Sequence, residues 1–171
     1  MLRVELSALE QGPIETDGVV AADDPIVADV EFELAEPIEV RGRLMESGAG
    51  RYYWHGTLRT RVAASCRRCL KDVAVEVAPE LRVLFTEDPS GDDAAAYALP
   101  PQGSELDLGE MVREELILAA PPFVVCRDDC RGLCPRCGKD LNEGPCDCRP
   151  EPDPRWAKLE GLKGMGSDEE R

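Results

Sequence analysis

The amino-acid sequence predicts an α+β fold: an antiparallel sheet built on one long hairpin, one main helix, a cysteine-rich module and a short C-terminal helix. Three observations predict it. Apolar residues alternate at period two through residues 54–85 on either side of a short turn, residues 108–119 carry helical spacing, and six of eight cysteines fall within residues 126–148. At 171 residues, 43% hydrophobic and 32% charged, the chain can form one compact core with an appendage. The expected divisions are a core domain at 1–125, a cysteine-rich module at 126–150 packed on it, and a helix with a tail at 151–171.

Residues 2–9 alternate Leu2, Val4 and Leu6 with Arg3, Glu5 and Ser7, the pattern of a half-buried strand. Residues 10–25 are rich in Gly, Pro and Asp and read as an acidic loop. Strand signals resume at 28–34 and 38–44, where Val30, Phe32 and Leu34 alternate with Glu31 and Glu33; β-branched and aromatic residues at period two oppose a helix.

The hairpin is the clearest local structure. On its incoming arm Trp54, Leu58, Val62 and Cys66 share one parity while Arg59 and Arg61 take the other. On the return arm Val73, Val75, Val77, Leu81, Val83 and Phe85 alternate with Asp72, Glu76, Glu80 and Arg82, giving one buried and one wet face. The turn is Cys66-Arg67-Arg68-Cys69. Pro79 cannot donate to a ladder, so this arm lies at an edge or bends there. Tyr52, Tyr53 and Trp54 read as core and hairpin packing rather than as a base-stacking surface.

Residues 86–105 read as a mobile acidic loop. Asp107 and Glu110 make a capping-box-like start for a helix bearing Leu108, Met111, Val112, Leu116 and Ala119, which Pro121-Pro122 stops. In the tail, Asp153 is a candidate N-cap, Pro154 the first helical residue, and Trp156, Leu159 and Leu162 one apolar stripe. Such a helix, about nine residues long, is marginal alone. It should dock on the core or on a partner.

No apolar run approaches the roughly 20 residues that span a bilayer, and the acidic N-terminus lacks the features of a secretory signal. A cytoplasmic chain is the expectation, and there cysteines bind metal more readily than they form disulfides. The spacings are Cys66-x2-Cys69, Cys126-x3-Cys130, Cys134-x2-Cys137 and Cys146-x-Cys148. A close pair on a tight turn aims two thiolates at one ion, and two pairs complete a tetrahedral sulfur site. Thiolate-rich tetrahedral sites favour zinc over iron–sulfur, so two structural zinc ions are expected.

Spacing shows pairs and not partners. The favoured grouping sets Cys134, Cys137, Cys146 and Cys148 on one ion, since only eight residues separate those pairs, and Cys66, Cys69, Cys126 and Cys130 on the other.

A catalytic zinc keeps an open position, often with histidine and a carboxylate base nearby. The only histidine is His55, inside a strand, and the cysteines suffice to close both sites. There is no P-loop, dinucleotide fingerprint or nucleophile elbow. A binding protein, not an enzyme, is expected.

The net charge of −15 argues against a surface coated for nucleic acid. Residues 47–71, however, hold Arg51, Arg59, Arg61, Arg67, Arg68 and Lys71 and no acid. That island is either a solvated strand face balancing an acidic body or a phosphate-binding stripe. In the second reading Arg59, Arg61, Arg67, Arg68 and Lys71 run along the hairpin and over its tip, extended by Arg131, Arg136 and Lys139.

Several stretches together resemble the YceD family of large ribosomal RNA subunit accumulation proteins. They are Cys66-Arg67-Arg68-Cys69-Leu70, Leu106-Asp107-Leu108, Glu114-Glu115-Leu116-Ile117-Leu118, the run from Cys130 to Gly138, Leu141-Asn142, Cys146-Asp147-Cys148 and the run from Asp153 to Leu159. The resemblance covers roughly residues 50–163 and implies a bacterial accessory factor that supports large-subunit (23S) ribosomal RNA, without enzymatic activity. The expected partner is the precursor large ribosomal subunit, through its RNA or a ribosomal protein, with no membrane and no small-molecule substrate. Two alternatives stay open: a redox-switched zinc chaperone, and an acidic adaptor that binds a basic ribosomal protein.

Overall fold

Strict apolar alternation makes Arg51–Ser65 a single strand of 15 residues, about 50 Å long, with partners along both edges. The structure, a computed structural model, describes residues 2–88, 96–99, 103–148 and 155. In chain order the strands are β1 (Arg3–Glu5), β2 (Ile14–Val20), β3 (Glu33–Leu34), β4 (Ile38–Gly48), β5 (Arg51–Ser65), β6 (Asp72–Val77), β7 (Glu80–Thr86), β8 (Tyr97–Ala98) and β9 (Glu105–Asp107). One helix follows, α1 (Gly109–Ala119), and 3-10 turns occupy Leu6–Gln11 and Pro25–Val27.

The main sheet runs β2-β4-β5-β7-β8, and β3 and β6 flank the far half of β5. Every pairing in it is antiparallel except β7 with β8. A separate ribbon joins β1 to β9. Pro79 interrupts the return arm without shifting it: Thr60 faces Val77 and Thr57 faces Glu80, the same register, and the Pro79 carbonyl still accepts from Leu58 N–H.

One face of the sheet is dry. Ile38, Val40, Leu44, Trp54, Leu58, Val83 and Phe85 point into it and meet Leu106, Leu108, Met111, Val112 and Leu116 from the α1 region. The packing is built around Trp54. Its indole lies over the cross-strand pair Gly42 and Gly56, where a Cβ on either would overlap the ring. Its N–H donates to Thr16 Oγ1 at 2.9 Å.

Several expectations are corrected. The strand at 2–9 is only β1; Leu6–Gln11 coils into a 3-10 turn that ends at Gly12, whose φ is 124°. The acidic loop at 10–25 contains β2, an edge strand whose alternation is masked in the sequence because Thr16 and Gly18 occupy inward positions. The strand at 28–34 shrinks to β3, although Val30, Phe32 and Leu34 still pack against the core. The loop at 86–105 contributes β8 and β9, and its residues 89–95 and 100–102 lie outside the described residues. Apart from Arg155, so does the expected helix at 153–162.

At the start of α1 there is no reciprocal capping box. Asp107 Oδ1 accepts from Gly109 N–H at 2.9 Å, and its Oδ2 pairs with Arg3 at 3.0 Å, tying the helix to β1. Thr16→Val should leave the buried indole N–H without an acceptor. A loss of about 1–3 kcal/mol in urea unfolding is expected, and an unchanged midpoint would contradict the role given to Trp54.

Candidate metal centres

The far half of β5 delivers Cys66 and the turn delivers Cys69. In this turn Cys66 N–H donates to Lys71 O and Leu70 N–H to Cys66 O, both at 2.8 Å. The second knuckle repeats the pattern: Cys134 N–H donates to Lys139 O and Gly138 N–H to Cys134 O, both at 2.9 Å. The fifth residue of each turn is left-handed, Gly138 with φ 71° and Leu70 with φ 59°. Glycine adopts that conformation freely, while leucine accepts it at a cost of roughly 1–2 kcal/mol.

The chain after α1 brings the remaining sulfurs to the hairpin tip. Arg67 N–H donates to Val124 O and Leu133 N–H to Arg68 O, both at 2.9 Å. Gly132, at φ 72°, presses its backbone onto the same Arg68 carbonyl, which a Cβ would approach to 2.8 Å. The Arg68 guanidinium closes the joint, donating to Asp128 O at 2.8 Å and Cys130 O at 3.0 Å.

Two groups of four sulfurs result, Cys66, Cys69, Cys126 and Cys130, and Cys134, Cys137, Cys146 and Cys148. Within each group all Sγ atoms lie within 4.8 Å of one another. The Cys66–Cys130 separation is 3.9 Å and the Cys69–Cys126 separation 3.6 Å. A tetrahedron with metal–sulfur bonds of about 2.3 Å has edges of about 3.8 Å, whereas a disulfide is about 2.05 Å. The sulfurs are spaced to hold a metal ion and not to bond one another. Donor type, number and spacing all fit a tetrahedral thiophilic ion such as zinc, and the grouping is the one favoured from the sequence.

Backbone hydrogen bonds, led by that from Cys126, hold the Cys66 thiol down at about 6 despite its burial. Those from Cys137 and Arg136 do the same for Cys134, also about 6. Burial pushes Cys126 up to about 12, and the Cys137 side chain pushes Cys148 equally high. Cys66 and Cys134 are therefore poised as thiolates, while Cys126 and Cys148 give up their protons readily only to a cation.

His55 belongs to neither site. It lies 11 residues back along β5, about 36 Å from Cys66, and bonds Glu80 at 2.9 Å.

Asn142 is a residue the sequence reading left without a role. Its Oδ1 accepts from Arg131 N–H at 2.8 Å and from Arg127 Nη2 at 2.9 Å. Its Nδ2 donates to Cys130 Sγ at 3.5 Å and to Asp140 Oδ1 at 2.6 Å. Asp140 in turn meets Lys71 Nζ at 3.0 Å. The signal available in the sequence was an asparagine and an aspartate inside a cysteine-bounded loop, with nothing to identify their partners.

The family model described as large ribosomal RNA subunit accumulation protein YceD matches residues 54–163, a span that includes all eight cysteines. The chain belongs to the YceD family. A relative from Mycobacterium tuberculosis, named only as an uncharacterized protein, is 36% identical over 123 residues, 66% of this chain and 56% of the relative. The large ribosomal RNA subunit accumulation protein YCED homolog 1, chloroplastic, of Arabidopsis thaliana is 25% identical over 138 residues, 63% of this chain and 43% of that protein. Its Zea mays counterpart is 28% identical over 147 residues, 68% of this chain and 49% of that protein. This chain thus spans about half the length of the curated relatives it matches. No solved structure matches it.

In this YceD chain the eight basic residues singled out earlier lie in different surroundings. Arg59 pairs with Glu76 at 3.0 Å, Arg61 with Glu36 at 3.9 Å and Lys71 with Asp140, while Lys139 donates to Pro145 O at 2.7 Å. Arg68 braces the metal end, as described. Arg67 lies 3.9 Å over the exposed Phe123 ring, and Arg131 and Arg136 are exposed at the same end of the molecule.

The Asn142 amide, and after it the Lys71 ammonium, hold the Asp140 carboxyl down at about 2, against an ordinary value of 3.8. Because the folded value is the lower one, the contribution to stability is complete above 3.8 and is lost as pH falls towards 2. The Asp140 side-chain carbonyl resonance should therefore titrate near 2. A midpoint at 3.8 would show that the clamp does not form.

Proposed function

We propose that the chain is a cytoplasmic, non-catalytic factor that supports the large ribosomal subunit, with two structural zinc ions shaping the end that meets the precursor. The observation that carries the reading is closure. Each tetrad supplies four sulfurs, which leaves a tetrahedral ion no vacant position for water or substrate. Among the described residues, no helix is long and apolar enough to cross a membrane. The family's name points to the large subunit, and the closed sites point to a scaffold role.

Arg67, Arg131 and Arg136 are the favoured contacts, because the metal-bound turns hold them at one end. Arg59 and Arg61 lie back along β5 beside glutamates that offset their charge. The acidic remainder of a chain with net charge −15 repels RNA and would limit binding to one orientation. That same net charge favours a second reading, an adaptor that holds a basic ribosomal protein.

The test is binding of the full chain to precursor large-subunit RNA across a salt series. Reversal to glutamate of Arg67, Arg131 and Arg136 should weaken binding at least tenfold and lower the salt slope by about one per lost phosphate contact. Reversal of Arg59 and Arg61 should do less. Unchanged RNA binding by the first variant, with salt-sensitive binding to an isolated basic ribosomal protein, would overturn the RNA contact and select the adaptor.

A further inference from the structure

The loop 138–145 lies between the two cysteine pairs of the second tetrad, so an ion on Cys134, Cys137, Cys146 and Cys148 closes it into a ring. That ring grips both chain segments that form the first tetrad. Asn142 Nδ2 reaches Cys130 Sγ, and Asn142 Oδ1 holds the backbone of Arg131 beside it. Asp140 reaches Lys71, whose carbonyl accepts from Cys66 N–H on the hairpin tip. Asp140 also accepts from the backbone and the side chain of Asn142, at 2.8 and 2.6 Å, which locks the two residues into one unit. Leu141 N–H adds a bond to Gly132 O at 2.9 Å.

We infer that the two tetrads load metal as one cooperative unit, with Asn142 as the positioning residue that couples them. The inference rests on the zinc reading above. Closing the second site pre-orders Asn142 and Asp140, so the first site binds without that ordering cost. The N–H donated to Cys130 Sγ also fixes the orientation of that sulfur. Coupling of this kind is reciprocal, so loading of the first site tightens the second by the same factor.

The test uses the full chain loaded with zinc. Chelator withdraws the metal stepwise, freed thiols are alkylated at each step, and peptide masses locate them. Asn142→Ala keeps all eight cysteines, yet its tetrad of Cys66, Cys69, Cys126 and Cys130 should open with about tenfold weaker zinc affinity. The double variant Cys137→Ser with Cys148→Ser should weaken that tetrad similarly, and adding Asn142→Ala to it should weaken it no further. Hydrogen exchange of β4, β5 and β7 should stay unchanged in Asn142→Ala, which separates coupling from unfolding. If the cysteine variant fails to fold, the second tetrad of Asn142→Ala decides: by reciprocity it too should open with about tenfold weaker affinity, and an unchanged second tetrad overturns the coupling. First-tetrad affinity equal in wild type and Asn142→Ala overturns the coupling and leaves the zinc reading standing. A purified wild type that binds no zinc overturns both.

Discussion

Sulfurs separated by 57 and 64 residues of chain meet at 3.6 and 3.9 Å, and the shape of one end of the molecule depends on that meeting. Closing such long loops costs chain entropy that local contacts must offset. Among the described residues, the apolar cluster at that end consists of Cys66, Cys69 and Cys130, with Leu133 packed on it. The main core, by contrast, assembles 19 buried residues around Trp54. Residues 126–148 show neither helix nor strand beyond one isolated bridge, Leu133 with Asp140. A segment so short and so poor in apolar burial needs a cross-link to hold a fold, and a metal ion on four thiolates would supply one. The sheet and the cysteine-rich end thus call for different physics. Trp54, its glycine groove and the Thr16 hydroxyl depend on close packing, whereas the knuckles, under the proposed zinc reading, would depend on coordination.

Charge follows the same division. Along β5 the basic residues face acidic neighbours across the strands, which reduces a seemingly free positive stripe to local ion pairs of small energetic weight. Beyond the strand, arginine takes on structural work. Arg68 binds two carbonyls of the 126–130 turn, and Arg67 covers Phe123. A contact surface at this end would therefore be fixed by the geometry that positions the sulfurs, so that metal loss and loss of binding travel together. Leu70 belongs to the same region. It is 65% exposed and left-handed, where its counterpart Gly138 adopts that conformation without strain.

Much of this was legible in the sequence. The hairpin showed through because Trp54, Leu58 and Val62 face Val75, Val77, Leu81 and Val83 with unbroken parity, and period-two burial is a strong local signal. The cysteine pairs showed through because knuckle geometry demands short spacing. The edge strand β2 was hidden since Thr16 and Gly18 hold core-facing positions for tertiary reasons, one as the acceptor for Trp54 and one in register with Val40. The residues at 6–11 mimic strand alternation yet coil, because a local pattern does not record where the sheet runs out of partners. The long-range partners of Asn142, Asp140 and Arg68 were beyond reach, since polar contacts spanning 11 to 69 positions leave no periodic trace. The charge count overstated the free basic surface for a related reason: it could not see which glutamates face Arg59 and Arg61.

Zinc-edge X-ray absorption on the full chain tests the central claim most directly, because it reads the ligands of every bound ion at once. The account predicts a first shell of four sulfurs at about 2.3 Å with no nitrogen or oxygen, at two ions per chain. A shell with fewer than four sulfurs and a water-like oxygen at about 2.0 Å would contradict it, since an open coordination position is what a catalytic centre needs.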